Sequence, residues 1–88
     1  MKVLKIGAEW CPGCVIMRPR WAEIEKEVPD LETIYYDADE NEELLKKYEI
    51  KDLPAFIFLD KNEEVLLKMD GEIDKEELLK IIEENKNK

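Results

Sequence analysis

The 88 residues, 44% hydrophobic and 42% charged, suffice for one domain spanning residues 1–88 with a modest core, since a chain of this size buries roughly 60 to 65% of its unfolded surface. Fourteen Lys and Arg against 23 Asp and Glu leave a net charge of -9, a field that repels a phosphate backbone and excludes nucleic acid as a partner. No apolar run approaches the roughly 20 residues that cross a bilayer, and Met1 and Lys2 lead into a strand, not a signal-peptide core, so a cytoplasmic protein with no membrane partner is expected.

Val3 to Ala8 (Val-Leu-Lys-Ile-Gly-Ala) is nearly continuous and apolar, the pattern of a strand covered on both faces, broken only by Lys5. Trp10-Cys11-Pro12-Gly13-Cys14 follows. From Pro12 to Val28 the residues Val15, Ile16, Trp21, Ile24 and Val28 recur at spacings that make one apolar helical stripe. Pro19 lies inside this helix and should kink it, and Pro29 and Asp30 end it. Leu31 to Tyr36 reads as a second strand, joined through the helix into a right-handed βαβ unit with parallel strands.

Asp39, with Glu42 three residues on, has the form of a capping box that opens a short helix through Tyr48, with Leu44, Leu45 and Tyr48 turned inward. Ala55 to Leu59 (Ala-Phe-Ile-Phe-Leu) is the most apolar run. Asp60 to Glu63 turns the chain, and Glu64 to Met69 returns as an antiparallel strand. After a second turn at Asp70 and Gly71, Asp74 caps the last helix with Glu77 in the matching acceptor place. Leu78, Leu79, Ile81 and Ile82 form its buried stripe, and Asn85 to Lys88 should fray. The order is βαβαββα, an α/β chain.

Residues of chemical consequence converge only at Trp10 to Cys14, where a strand hands over to a helix. Pro12, with no backbone N–H and a fixed φ, suits the first helical position. Cys11 then falls at the N-cap, its sulfur placed to accept from the backbone N–H groups of Gly13 and Cys14. A thiolate accepts better than a thiol, and the helix dipole adds to that preference. Cys11 is therefore the expected nucleophile and Cys14 its resolving partner. A structural staple is disfavoured, because closing about four residues constrains the unfolded chain by only about 2 kcal/mol. Zinc within one chain is disfavoured by the lack of histidine and of a second cysteine pair, so neither a metal nor a resident cofactor is expected. A cluster shared between two chains is the remaining metal alternative. Trp10 should shape a substrate surface and Trp21 the core. Arg18 and Arg20 read as helix-surface ion pairs, Tyr35, Tyr36 and Tyr48 as packing, and Asp52 as a turn residue.

Placed in a βαβ context, the Cys-x-x-C pair joins three other features: Ala8-Glu9-Trp10-Cys11, Pro19 five residues after Cys14, and Tyr48-Glu49-Ile50-Lys51-Asp52-Leu53-Pro54. With Gly71, Ile73 and Asp74 at the end, the chain resembles the thioredoxin superfamily over nearly its whole length. The resemblance implies a minimal thioredoxin fold, a four-stranded mixed sheet of order 2-1-3-4 flanked by three helices, with a cis bond from Leu53 to Pro54. It also implies an enzyme, a thiol-disulfide oxidoreductase and electron carrier. Cys11 would attack a substrate disulfide and Cys14 would resolve it, with Trp10, Pro12, Gly13, Leu53 and Pro54 forming the substrate surface. Implied partners are disulfide-containing proteins and a reductase such as thioredoxin reductase, and the implied state is a monomer.

The chain departs from that pattern in three ways. It lacks the N-terminal strand and helix of full thioredoxins. Cys-Pro-Gly-Cys is the glutaredoxin order, although the paired glycines of that family are reduced to Gly71 and the net charge would not attract anionic glutathione. Lys5 stands where thioredoxins bury an acid, with Thr33 the counterpart of that acid's lysine partner. Lys5 either tunes the two thiols or packs its stem on the sheet with its amine in water. A glutathione-dependent reductase and a non-catalytic binding module are the alternative functions.

Overall fold

In the computed structural model, which describes residues 1–88, eight elements follow one another: β1 (Lys2–Gly7), α1 (Pro12–Glu27), β2 (Glu32–Asp37), a single 3-10 turn (Ala38–Glu40), α2 (Glu42–Lys47), β3 (Ala55–Leu59), β4 (Val65–Asp70) and α3 (Lys75–Asn85). The strands form one sheet in the order β2-β1-β3-β4. β1 runs parallel to β2 and antiparallel to β3, and β4 returns antiparallel to β3. This is the expected mixed sheet of order 2-1-3-4 with three α-helices.

Because strand side chains alternate in direction, the apolar runs at β1 and β3 need cover on both faces. On one face Val3, Phe56 and Phe58 pack with Met17, Trp21 and Ile24 of α1 and Leu78 and Ile82 of α3. On the other, Leu4, Ile6, Ala55, Ile57 and Leu59 meet Ala38, the half-buried Leu44 and Leu45 of α2, and Tyr48 at its C-cap. Every residue of β3 is buried, and each large side chain so covered contributes roughly 1.5–3 kcal/mol of transfer free energy.

Several local expectations are corrected. Val15 and Ile16 are 50% and 44% exposed, and the buried stripe of α1 is Cys14, Met17, Trp21 and Ile24. Helical phase explains this: with Cys14 turned to the sheet, the next two positions advance about 100° each and leave it. The capping box at Asp39 does not form. The Asp37 carboxylate instead accepts from the Asp39 N–H at 2.8 Å and opens the 3-10 turn, while α2 starts at Glu42 behind Asn41, which makes no side-chain cap. Asp74 occupies the N-cap of α3 with no side-chain cap bond; its carbonyl takes the Leu78 N–H at 3.1 Å. α3 ends at Asn85, and beyond it the Lys88 carbonyl accepts from the Lys61 N–H at 2.7 Å. Pro19 is carried inside α1 as expected. Gly71 has φ of +84, a value glycine tolerates without steric cost.

Trp21 stacks at a tilt on Phe56 and Phe58, with ring centroids 5.4 and 6.4 Å away, and its buried indole N–H has no hydrogen-bond partner. Trp21→Phe removes that unpaired donor, relieving about 1–3 kcal/mol of desolvation cost while losing some packing. Its net effect in urea denaturation should stay within about 1.5 kcal/mol, whereas Trp21→Ala should cost about 3–5 kcal/mol.

Candidate functional site

β1 ends at Gly7 beneath the start of α1, and the intervening turn is tied by a bond from the Cys11 N–H to the Ala8 carbonyl at 3.3 Å. Cys11 holds an extended backbone at the N-cap (φ -93, ψ 115) and Pro12 takes the first helical position. The Cys11 sulfur accepts from the Cys14 N–H at 3.3 Å; the second donor expected, Gly13, makes no such bond. The Cys11 carbonyl takes the N–H groups of Cys14 and Val15 at 3.1 and 3.2 Å. Both thiols are free, 5% and 6% exposed, and they form a small apolar cluster with Ala8 against which Leu53 packs.

The Leu53–Pro54 bond is cis and Pro54 is buried beside the cysteines. A Cβ on Gly13 would lie 3.0 Å from Pro54 Cδ, so the first helical turn and the proline loop approach closely, and a larger residue there would have to push the proline ring aside. Cys11 opens onto a groove of about 530 Å³ shared with Trp10, Pro12, Gly13 and Leu53 and bordered by Asp39, Glu42, Lys51 and Asp52. Trp10 is 67% exposed, and its Nε1 donates to Asp39 Oδ2 at 2.9 Å, a bond that ties the indole to another residue lining that groove. The structure thus brings Trp10, Cys11, Pro12, Gly13, Cys14, Leu53 and Pro54 to one end of the sheet.

Cys14 faces the other way, into a cavity of about 50 Å³ lined in part by Lys5, Gly7, Arg18, Tyr35 and Pro54. Burial pushes the Cys14 thiol up to about 11 and the Cys11 sulfur adds to the rise, while the Ala8 backbone and the Arg18 guanidinium pull it back. A thiol whose folded pKa lies above its unfolded value binds its proton more tightly in the native state. The resulting stability is fully present below the unfolded value near 9 and is lost as pH rises through about 11. Thermal melts of the reduced protein and of Cys14→Ser should therefore converge or cross between those two pH values, the wild type losing the more.

Lys5 does not send its amine to water. The amine pairs with Glu25 of α1, whose carboxylate also accepts from Thr33 Oγ1 at 3.0 Å, and it stands 5.8 Å from the Trp21 ring centroid. Thr33 reaches this cluster through Glu25, and the residue opposite Lys5 in the parallel ladder is Tyr35. Arg18 and Arg20 make no ion pairs: the Arg20 guanidinium donates to the Ile73 carbonyl at 2.7 Å and Arg18 stands beside Tyr35 and Cys14. Glu25, Tyr35, Arg18 and Asp39 are the neighbours of the site that sequence reasoning missed. Arg18 alone had a signal, four residues after Cys14 on one helix face. Tyr36 and Tyr48 do pack on the sheet as expected, but Tyr35 is 48% exposed. Nowhere do three or more Cys, Asp or Glu side chains converge as a metal-ligand set, and no helix is long and apolar enough to cross a membrane.

The family model described as Thioredoxin matches residues 1–84. The chain is 40% identical to thioredoxin H5 of Oryza sativa subsp. japonica over 63 residues, which are 72% of this chain and 47% of that protein. It is 35% identical to glutaredoxin-3 of Homo sapiens over 69 residues, 78% of this chain and 20% of that one. It therefore spans about half or less of these relatives. Among solved structures, Fasciola hepatica thioredoxin superposes with a TM-score of 0.85 at 28% identity, covering 96% of this chain and 79% of that one.

Proposed function

Because the chain belongs to the thioredoxin family, we propose that this thioredoxin-like redox protein reduces disulfides in other proteins, with Cys11 as nucleophile and Cys14 as resolving thiol. The observation that carries the reading is the Cys11 sulfur at the amino end of α1, accepting the Cys14 N–H, with the second thiol one turn away. In the first step the Cys11 thiolate attacks a substrate disulfide. The Cys11–substrate S–S bond forms, the substrate S–S bond breaks, and one substrate sulfur leaves as a thiolate that takes up a proton. In the second step Cys14 loses its proton and attacks the Cys11 sulfur. The Cys11–Cys14 bond forms, the second substrate sulfur leaves, and two electrons have passed from the protein dithiol to the substrate.

Trp10, Pro12, Gly13, Leu53 and Pro54 form the substrate surface, where the exposed indole and the open backbone before Pro54 receive an extended peptide. Residues 1–88 act as one monomeric domain in the cytoplasm, reduced again by a partner such as thioredoxin reductase. Asp39, Glu42 and Asp52 border the groove against a single Lys51. That balance disfavours anionic glutathione and supports the thioredoxin-type over the glutaredoxin-type donor.

The test is an equilibrium redox titration of the Cys11/Cys14 pair together with turnover of a model protein disulfide, supplied in turn with glutathione and with a thioredoxin reductase. Reversible cycling with turnover on the reductase is expected. A pair that cannot be cycled, or a chain that binds disulfide proteins without reducing them, overturns the proposal in favour of a binding module.

A further inference from the structure

Cys14 is the buried sulfur that the second step requires to give up a proton, and burial holds that proton on. Its rear cavity meets the surface at two exposed polar side chains, Tyr35 and Arg18. A Cβ on Gly7 would lie 3.0 Å from Cys14 Sγ and 3.4 Å from Tyr35 Oη, so sulfur and hydroxyl face each other across the space that a side chain there would fill. The cavity of about 50 Å³ between them has room for a water. Tyr35 lies on the edge strand β2 with 48% of its surface exposed, so its side chain reaches from the cavity beside the buried thiol to solvent. Arg18, one turn along α1 from Cys14, lines the same cavity.

We propose that Tyr35 and Arg18 are positioning residues that form the proton exit of Cys14. The guanidinium stabilises the sulfur as a thiolate, and the hydroxyl takes the departing proton while releasing its own to bulk water. The inference rests on the disulfide-exchange reading above. In balance, a Cys14 thiol and a Cys11–substrate mixed disulfide give the Cys11–Cys14 disulfide, a substrate thiolate and one proton, and Tyr35 ends the step unchanged.

The surrounding charges fit a hydroxyl relay. Burial and the Asp37 carboxylate on β2 push the Tyr35 phenol up, with Arg18 opposing and Cys14 adding to the rise, so the hydroxyl keeps its proton in the working range and passes protons as a neutral group. From β1, Lys5 borders the cavity but is committed to Glu25. From α1, Cys11 and Arg18 act on Cys14 in opposite senses. From the β3 side, Pro54 and Phe56 complete the lining with apolar surface.

Dithiodipyridine, a neutral disulfide that releases a coloured thiopyridone at each step, separates the two reactions in stopped flow on the full reduced chain. In Tyr35→Phe and Arg18→Gln the first phase, belonging to Cys11, should match the wild type. The second should slow about tenfold near neutral pH, the equivalent of one pKa unit, and its pH midpoint should move to higher pH, with the deficit closing in alkali. Arg18→Lys should restore most of the rate. Tyr35→Phe keeps the ring on a half-exposed strand position, and circular dichroism checks the fold. An unchanged second-phase pH profile in Tyr35→Phe and Arg18→Gln overturns the proposal, as does a loss of equal size at every pH, which marks a packing role. Failure of the wild type to show a first phase would overturn the disulfide-exchange reading, and this one with it.

Discussion

Cys11→Ser should lower turnover of protein disulfides by at least about a thousandfold, because a hydroxyl is a poor nucleophile unless a neighbouring base removes its proton. The chain contains no histidine, and the apolar groups packed with the sulfur, Ala8, Cys14 and Leu53, supply no such base. The helix terminus that favours a thiolate cannot compensate, since a backbone N–H at 3.3 Å stabilises charge only once it exists. Cys14→Ser should behave differently. Its Cys11 still attacks, no resolving sulfur follows, and the covalent mixed disulfide accumulates one to one with substrate. Mass spectrometry after mixing with a disulfide protein reads both outcomes. Equal loss in the two variants without a trapped adduct would mean that the order of attack is not Cys11 first.

Phe58→Ala should bring the reduced protein to the edge of unfolding at physiological temperature. Phe58 is fully buried at the middle of the sheet, between Val3 across the ladder on β1 and Leu67 on β4, with the Trp21 ring above it. A large-to-small change at such a site costs about 3–5 kcal/mol, while a chain of this length has a total stability of roughly 4–13 kcal/mol. Calorimetry should show Tm lowered by about 12–40 °C. Val65→Ala, at an exposed position of β4, is the matched control and should change stability by no more than about 0.5 kcal/mol. A Phe58→Ala protein that melts near the wild type would mean that the core closes around the gap.

β3 was readable to the residue because five apolar side chains in a row admit no other placement, and the site was readable because Cys11 and Cys14 are the only thiols and Pro12 fixes where α1 begins. The phase of α1 was not readable. Val15 and Ile16 look like core on hydrophobicity alone, and only the position of Cys14 against the sheet decides which third of the helix is covered. The caps at Asp37 and Asp74 turned on geometry of a single residue, which acidic runs such as Asp37 to Glu43 leave undetermined. Tyr35 and Glu25 could not be attached to the site from sequence, because the ladder register that sets Tyr35 opposite Lys5, and the α1 position that brings Glu25 to the same amine, are tertiary facts.

The layer over Leu4, Ile6 and Ile57 rests on α2, which has six residues and none of them buried. A helix that short has no independent stability, since about 12–15 residues are needed in water, so it persists only through the grip of Leu44, Leu45 and Tyr48. The two flanks of the sheet therefore open at different free energies. Amide hydrogens on the α2 flank would exchange by small local excursions, while those of β3 wait for the whole molecule to come apart.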